Sequence, residues 1–147
     1  FRRVLFRSTA GDPCPIVKGW LRASVRKVDQ AKSTDLVPHR NYLSSEVAPL
    51  KLDTVYALDV ELWPTNVVIP AGHTLQLEVG PQDQQGGGVF THTHPQDRVQ
   101  AKLAGINSIH TGTVDAGKVD TIGISAKTPA LGNDVLASCL VLPVIQS

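Results

Sequence analysis

No stretch of this chain is apolar for long enough to cross a bilayer. A spanning helix needs about 18 or more consecutive apolar residues, and here the 41% apolar content is interrupted throughout. Charge of one sign is lacking too. The formal net charge is +1 with 18% charged residues, which gives no electrostatic case for nucleic acid or a membrane surface as partner. No G-x-S-x-G elbow occurs. The nearest string, Gly123-Ile124-Ser125-Ala126-Lys127, lacks the closing glycine that permits a sharp strand-to-helix turn. The three glycines at 86–88 are not followed by the lysine and helix of a phosphate-binding loop. Only two cysteines are present, Cys14 and Cys139; neither has a histidine beside it in sequence, and a disulfide or two free thiols both stay open. Internal repeats are absent.

What is present is β patterning. At 147 residues the chain is one domain or a piece of one. Residues 20–28, WLRASVRKV, alternate Leu21, Ala23 and Val25 against Arg22, Ser24 and Arg26, the mark of a half-buried strand. In residues 55–62, VYALDVEL, the alternation sends Tyr56, Leu58, Val60 and Leu62 inward and Asp59 and Glu61 outward. HTLQLEV, residues 73–79, places Leu75, Leu77 and Val79 on one face. SCLVLPVI, residues 138–145, is apolar on both faces, as a strand covered on both sides would be, with Pro143 marking an edge or bulge. Short strands are expected near 107–110 and 119–125. Residues 94–105 alone carry helical spacing, with Pro95 in the first turn and Gly105 past the end. Between these segments lie Pro, Gly, Asn and Asp punctuators. The pattern predicts an all-β sandwich of jelly-roll type.

The first eight residues stand apart. In one frame, a short-read sequencing adapter translates to the same residues, FRRVLFRS, so residues 1–8 are read as foreign and set aside. Without Arg2, Arg3 and Arg7 the basic count falls from 14 to 11 against 13 acids, a net charge of −2. On this reading residues 9–147 are a partial, N-terminally truncated domain, because a jelly roll uses about eight strands and several are missing. Such a piece exposes ladder edges and an uncovered apolar face, and is expected to be poorly soluble or molten in isolation.

Three constellations bear on chemistry. In GGGVFTHTHPQD, His92 and His94 are two apart, so on a strand both imidazoles share a face. With Asp97 or His110 they form a candidate metal set. This resembles the first cupin motif, but the glutamate of that motif is lacking, and the Pro70-x-Gly72-His73 element lies upstream instead of downstream; loop histidines bonded to nearby backbone are the favoured reading. Trp20 and Trp63 offer aromatic platforms of the kind that stack on sugars, although such residues more often pack at a sheet edge or domain contact. Arg22, Arg26 and Lys27 are expected on one solvated strand face. Arg98 is a candidate for an interdomain ion pair. Residues 65–72 read as a corner between strands, since Pro64 and Pro70 remove ladder donors and Gly72 permits a turn, with His73 bonding at that corner.

Five successive motifs then carry a family likeness: VKGWLRASVRKVD, YALDVELWPTNVVIPAGHTLQLEV, FTHTHPQDR, NSIHTG and the terminal CLVLPVI. From about residue 16 to 145 they resemble the C-terminal, non-catalytic β-domain of the X-prolyl dipeptidyl peptidase and cocaine esterase family of serine hydrolases. The segment ELWPT…PAGH with its following strand is the most specific part. Residues 113–137 depart from the pattern, as an insertion or a local reading-frame disturbance. The resemblance implies a jelly roll similar to galactose-binding domains, an α/β-hydrolase domain upstream as partner, and a small acyl ester, amide or peptide as the parent's substrate. It implies that catalytic residues and cofactors lie outside this chain, and that Trp20, Trp63, His73 and Arg98 are candidate interdomain contacts. A stand-alone cupin-like metal-binding barrel and a carbohydrate-binding module are the competing readings.

Overall fold

The computed structural model describes residues 2–7, 14–80, 106–127 and 134–142. Within them the chain is built from short strands: β1 (Arg2–Arg7), β2 (Cys14–Gly19), β3 (Val55–Leu58), β4 (Thr74–Val79), β5 (Thr113–Asp115), β6 (Val119–Gly123) and β7 (Val135–Ala137). Single 3-10 turns occur at Ala23–Val25, Ser44–Glu46 and Ala116–Lys118. Among the described residues no helix is long and apolar enough to cross a membrane. The described residues are thus strand-dominated, consistent with the all-β class that the alternation and punctuation predict.

The strands divide between two compact units. The first comprises Phe1–Lys18 and Pro64–Ile109. Its sheet has the order β2-β1-β4, and β1 pairs antiparallel with β4 in an unbroken register from Arg2↔Val79 to Arg7↔Thr74. The chain enters β4 through a turn in which the His73 N–H donates to the Pro70 carbonyl at 3.3 Å. Gly72 has φ +82°, the left-handed value that a type II turn requires at its third residue and that glycine adopts without a Cβ penalty. The predicted corner is therefore where it was expected. Along β4, Leu75 is half-buried between exposed Thr74 and Gln76, but Leu77 and Val79 are each 38% exposed. The apolar face of β4 is only partly covered.

The second unit comprises Gly19–Trp63 and His110–Ser147. Here β3 and β6 run parallel, Val55 opposite Val119 and Leu58 opposite Gly123, with a register shift between Tyr56 and Leu58. A separate antiparallel pair joins β5 to β7. At the end of β5, the Asp115 carboxylate accepts from the Gly117 N–H at 2.9 Å, a side-chain cap that turns the chain into β6. Gly123 is required by proximity: a Cβ there would lie 2.5 Å from the Ala57 carbonyl oxygen. Gly19 is under the same constraint against the Glu61 carbonyl.

Several expected strands are corrected. Residues 20–28 do not form a strand; Ala23–Val25 coil into a 3-10 turn because Arg26 is drawn into the interior instead of alternating outward. The strand expected over 55–62 ends at Leu58, where Asp59 leaves the ladder to bond elsewhere (below). No strand forms at 107–110, and residues 138–142 are irregular; β5 and β7 come instead from residues 113–137, the stretch that departs from the family pattern. The expected helix at 94–105 lies outside the described residues, as does Pro143.

Candidate functional site

The second unit has a polar centre. Among the described residues, Val28 is the one apolar side chain in the buried class, whereas Arg26 and Arg40 are 3% and 8% exposed and Ser33 and Ser125 are also buried. Burying a guanidinium is unfavourable unless its N–H groups are paired, so their partners define the site.

Arg40 donates to three backbone carbonyls: Arg26 at 2.9 Å, Asp59 at 2.7 Å and Gly123 at 3.0 Å. One side chain thereby ties the 20s segment, the end of β3 and the end of β6. Burial pulls the Arg40 pKa below the ordinary arginine value, with Tyr42 and Asp59 acting in the opposite direction; the group stays a cation at any physiological pH. Arg26 donates to the Ala23 carbonyl at 3.1 Å and the Ala48 carbonyl at 2.7 Å, and forms an ion pair with Asp120 at 2.8 Å. Its guanidinium carbon stands 4.5 Å from the centre of the Tyr56 ring, a cation–π geometry. The Arg26 hydrogen bond holds the Asp120 carboxyl below its ordinary pKa. Asp59 completes the node: its carboxylate accepts from the Ser125 N–H at 2.7 Å, and its own N–H donates to the Gly123 carbonyl at 2.9 Å.

A loop over residues 29–39 leaves this node and returns to it, closed by the Asp29 N–H donating to the His39 carbonyl at 2.8 Å. Bonds within the loop shape it, while the Gln30 amide donates to the Ile124 carbonyl and the Lys127 ammonium to the Ser33 carbonyl. The Asp29 carboxylate accepts from the N–H of Ala31 and Lys32, the Asn41 amide donates to it at 3.2 Å, and this last bond is the leading cause of its lowered pKa. Ser33 donates from its hydroxyl to the Asp29 carbonyl and accepts from the His39 N–H. At the tip Leu36 and Val37 are 57% and 44% exposed.

Chemically, both guanidinium groups are committed to carbonyls and a carboxylate of their own chain. That arrangement positions backbone; it does not present a nucleophile to a base. Among the described residues no group of three or more His, Cys, Asp or Glu side chains could hold a metal ion.

The candidate residues distribute as follows. Trp20 and Trp63 come together edge-to-face, ring centres 5.3 Å apart at 76°, with Trp20 half-buried and Trp63 63% exposed. The His73 ring nitrogen Nδ1 lies 3.4 Å from the Ala71 carbonyl, within the corner it was expected to bond. His110 is exposed and its carbonyl accepts from the Ser138 hydroxyl at 2.7 Å. His92, His94, Asp97 and Arg98 lie outside the described residues. Cys139 has a free, exposed thiol. Arg22 and Lys27 are exposed as expected, with Lys27 paired to Glu46 at 3.1 Å, but Arg26 is corrected from a solvated face to the buried node. Sequence reasoning missed Arg40, Asp59 and Asp120 as partners of that node. The turn-rich composition of residues 29–40 was the available signal, and it marks a loop without marking which arginine turns inward.

Among the described residues, the second unit is strand-built around a polar centre of paired arginines. Residues 4–120 match the family model of the X-Pro dipeptidyl-peptidase C-terminal non-catalytic domain. The chain belongs to that family. No curated protein matches the chain, and no solved structure does.

Proposed function

We propose that the chain is the accessory C-terminal domain of an α/β-hydrolase-type serine hydrolase, an X-Pro dipeptidyl peptidase or a related ester or amide acyl hydrolase. In this reading it adopts a jelly-roll sandwich similar to galactose-binding domains, packs on the catalytic domain N-terminal to it, and helps wall the active-site cleft. The family match over residues 4–120 carries the reading. Exposed apolar side chains support it: Leu36, Val37, Tyr42 and Leu43 are each 44% exposed or more within a few residues, and clustered exposure of this kind marks a surface that meets another protein surface. Trp20, Trp63, His73 and Arg98 are the side chains proposed for contact with the catalytic domain. The parent's chemistry is acyl transfer to water, in which a serine attacks an ester or amide carbonyl with histidine as base, and all of it lies in the upstream domain.

The test begins with the gene. Long-read sequencing upstream of the codon for Thr9 is expected to reveal an open frame containing a G-x-S-x-G elbow. The encoded parent should hydrolyse X-Pro p-nitroanilides or p-nitrophenyl esters and be labelled by a fluorophosphonate, while the 147-residue chain does neither. A frame without the elbow, or hydrolysis by the chain itself, would overturn the proposal.

A further inference from the structure

We infer that residues 124–127 brace the 29–39 loop, gripping it at Gln30 and Ser33 and so fixing where its apolar tip stands. The brace is read from hydrogen bonds alone; only the use of the tip as a contact surface rests on the accessory-domain reading above. The Gln30 carboxamide donates to the Ile124 carbonyl at 2.9 Å and accepts from the Ala126 N–H at 2.8 Å. In a parallel ladder, a strand residue donates to the residue before its opposite number and accepts from the residue after it. The Gln30 side chain thus stands in for a strand residue opposite Ser125. On the other edge the Ser125 N–H donates to the Asp59 carboxylate at 2.7 Å, so a side chain replaces a strand there too. Lys127 makes the second grip, its ammonium donating to the Ser33 carbonyl at 3.1 Å. Ser33 is 2% exposed, and its hydroxyl donates to the Asp29 carbonyl and accepts from the His39 N–H. The lysine therefore holds a residue that already ties both arms of the loop.

Beyond these grips lies the turn in which the Thr34 N–H donates to the Val37 carbonyl at 3.0 Å. Braced at residues 30 and 33, the loop presents Leu36 and Val37 in one arrangement, and side chains so held lose less conformational entropy when a partner meets them. The family match covers residues 4–120, so the bracing residues lie past the matched span.

Hydrogen exchange of the full chain tests the brace with no partner present, so its failure would leave the hydrolase reading standing, and the reverse. Gln30→Ala is expected to speed exchange of the Ala126 and Thr34 amides by about tenfold. The amides of Val28 and Asp59, on the far side of the node from the tip, should stay within about twofold. Lys127→Met removes the grip on Ser33 and is expected to accelerate Thr34 as well. Three results would overturn the inference. The first is a Thr34 amide with no protection in the starting chain. The second is Thr34 exchange unmoved by Gln30→Ala or by Lys127→Met. The third is acceleration of Val28 and Asp59 equal to that of Thr34, which would mean that the unit opens as a whole and that the loop has no brace of its own.

Discussion

Replacing Arg40 by methionine keeps an unbranched apolar stem while removing the guanidinium and the hydrogen bonds it donates to three carbonyls. Three carbonyls lose a donor, but unequally. The Gly123 carbonyl keeps the Asp59 N–H at 2.9 Å, so the loss falls on Arg26 and Asp59, whose carbonyls the guanidinium meets at 2.9 and 2.7 Å. Taking a donor from a buried carbonyl costs about 1–3 kcal/mol; with the Arg26 contact buried and the Asp59 contact part-buried, the gross loss is roughly 2–6 kcal/mol at most. Against this stands the relief of no longer desolvating a cation, which in buried networks cancels a good part of the gross loss. A net destabilisation of about 3 kcal/mol follows, on the order of 100-fold in the local opening equilibrium. The readout is exchange protection of two amides beside the node, Val28, which donates to Ile122, and Asp59, which donates to Gly123. Arg40→Met is expected to lower protection at both by about 100-fold or to the unprotected rate, whichever is met first. Arg40→Lys should recover little, because a single ammonium cannot reproduce a planar fork aimed at three carbonyls. Protection at both amides unchanged within about twofold in Arg40→Met, or full rescue by lysine, would refute the account of Arg40 as the tie between three segments.

Glycine substitutions separate clash from strain. Gly123→Ala is expected to destabilise by about 1–3 kcal/mol through overpacking against Ala57. Gly72→Ala meets nothing within 4 Å but sits at φ +82° and should cost about 1 kcal/mol; Gly112→Ala, with neither constraint, should be neutral, and equal effects at all three would refute the assignments. Acid sensitivity is predicted from Asp120: its pKa is lowered in the fold from 3.8, so the Arg26 pair contributes fully above that value and is lost as pH falls through the folded pKa. Asp120→Asn should weaken Val28 protection at neutral pH and flatten its decline below about pH 4; an unchanged acid profile would show that the pair contributes nothing. Finally, the isolated chain is expected to bind a dye such as ANS, since eighteen large apolar side chains are exposed among the described residues. Fluorescence no higher than that of a well-packed globular control would overturn that expectation.

Legibility followed the physics of each signal. The Pro70–His73 corner could be read because a positive-φ position restricts residue type, and that restriction is written at the position itself. β4 was readable for a similar reason, as period-2 alternation is local. The parallel partnership of β3 with β6 was not, because pairing across more than sixty residues leaves no trace in either strand's own pattern. Arg26 was misread for a different cause: alternation assigns polar residues outward, and it has no means of anticipating Asp120 and the Ala48 carbonyl converging from elsewhere in the chain. Family membership was carried by motif order, ELWPT before PAGH before the alternating strand, more than by any single residue. The metal reading turned on His92, His94 and Asp97, which lie outside the described residues, and His110 sits exposed with its carbonyl accepting from Ser138.

The closed mouth of the 29–39 loop has an engineering consequence. Its two ends are clasped by a backbone bond of 2.8 Å, Asp29 and Ser33 hold turns near the base, and Thr34 and Val37 close the turn at the tip. The tip at Leu36 is therefore a natural splice point. Lengthening a loop whose ends are already fixed costs only about 0.6 kcal/mol per doubling, so an affinity tag or dye-bearing peptide inserted there would travel with the domain without disturbing the arginines beneath it.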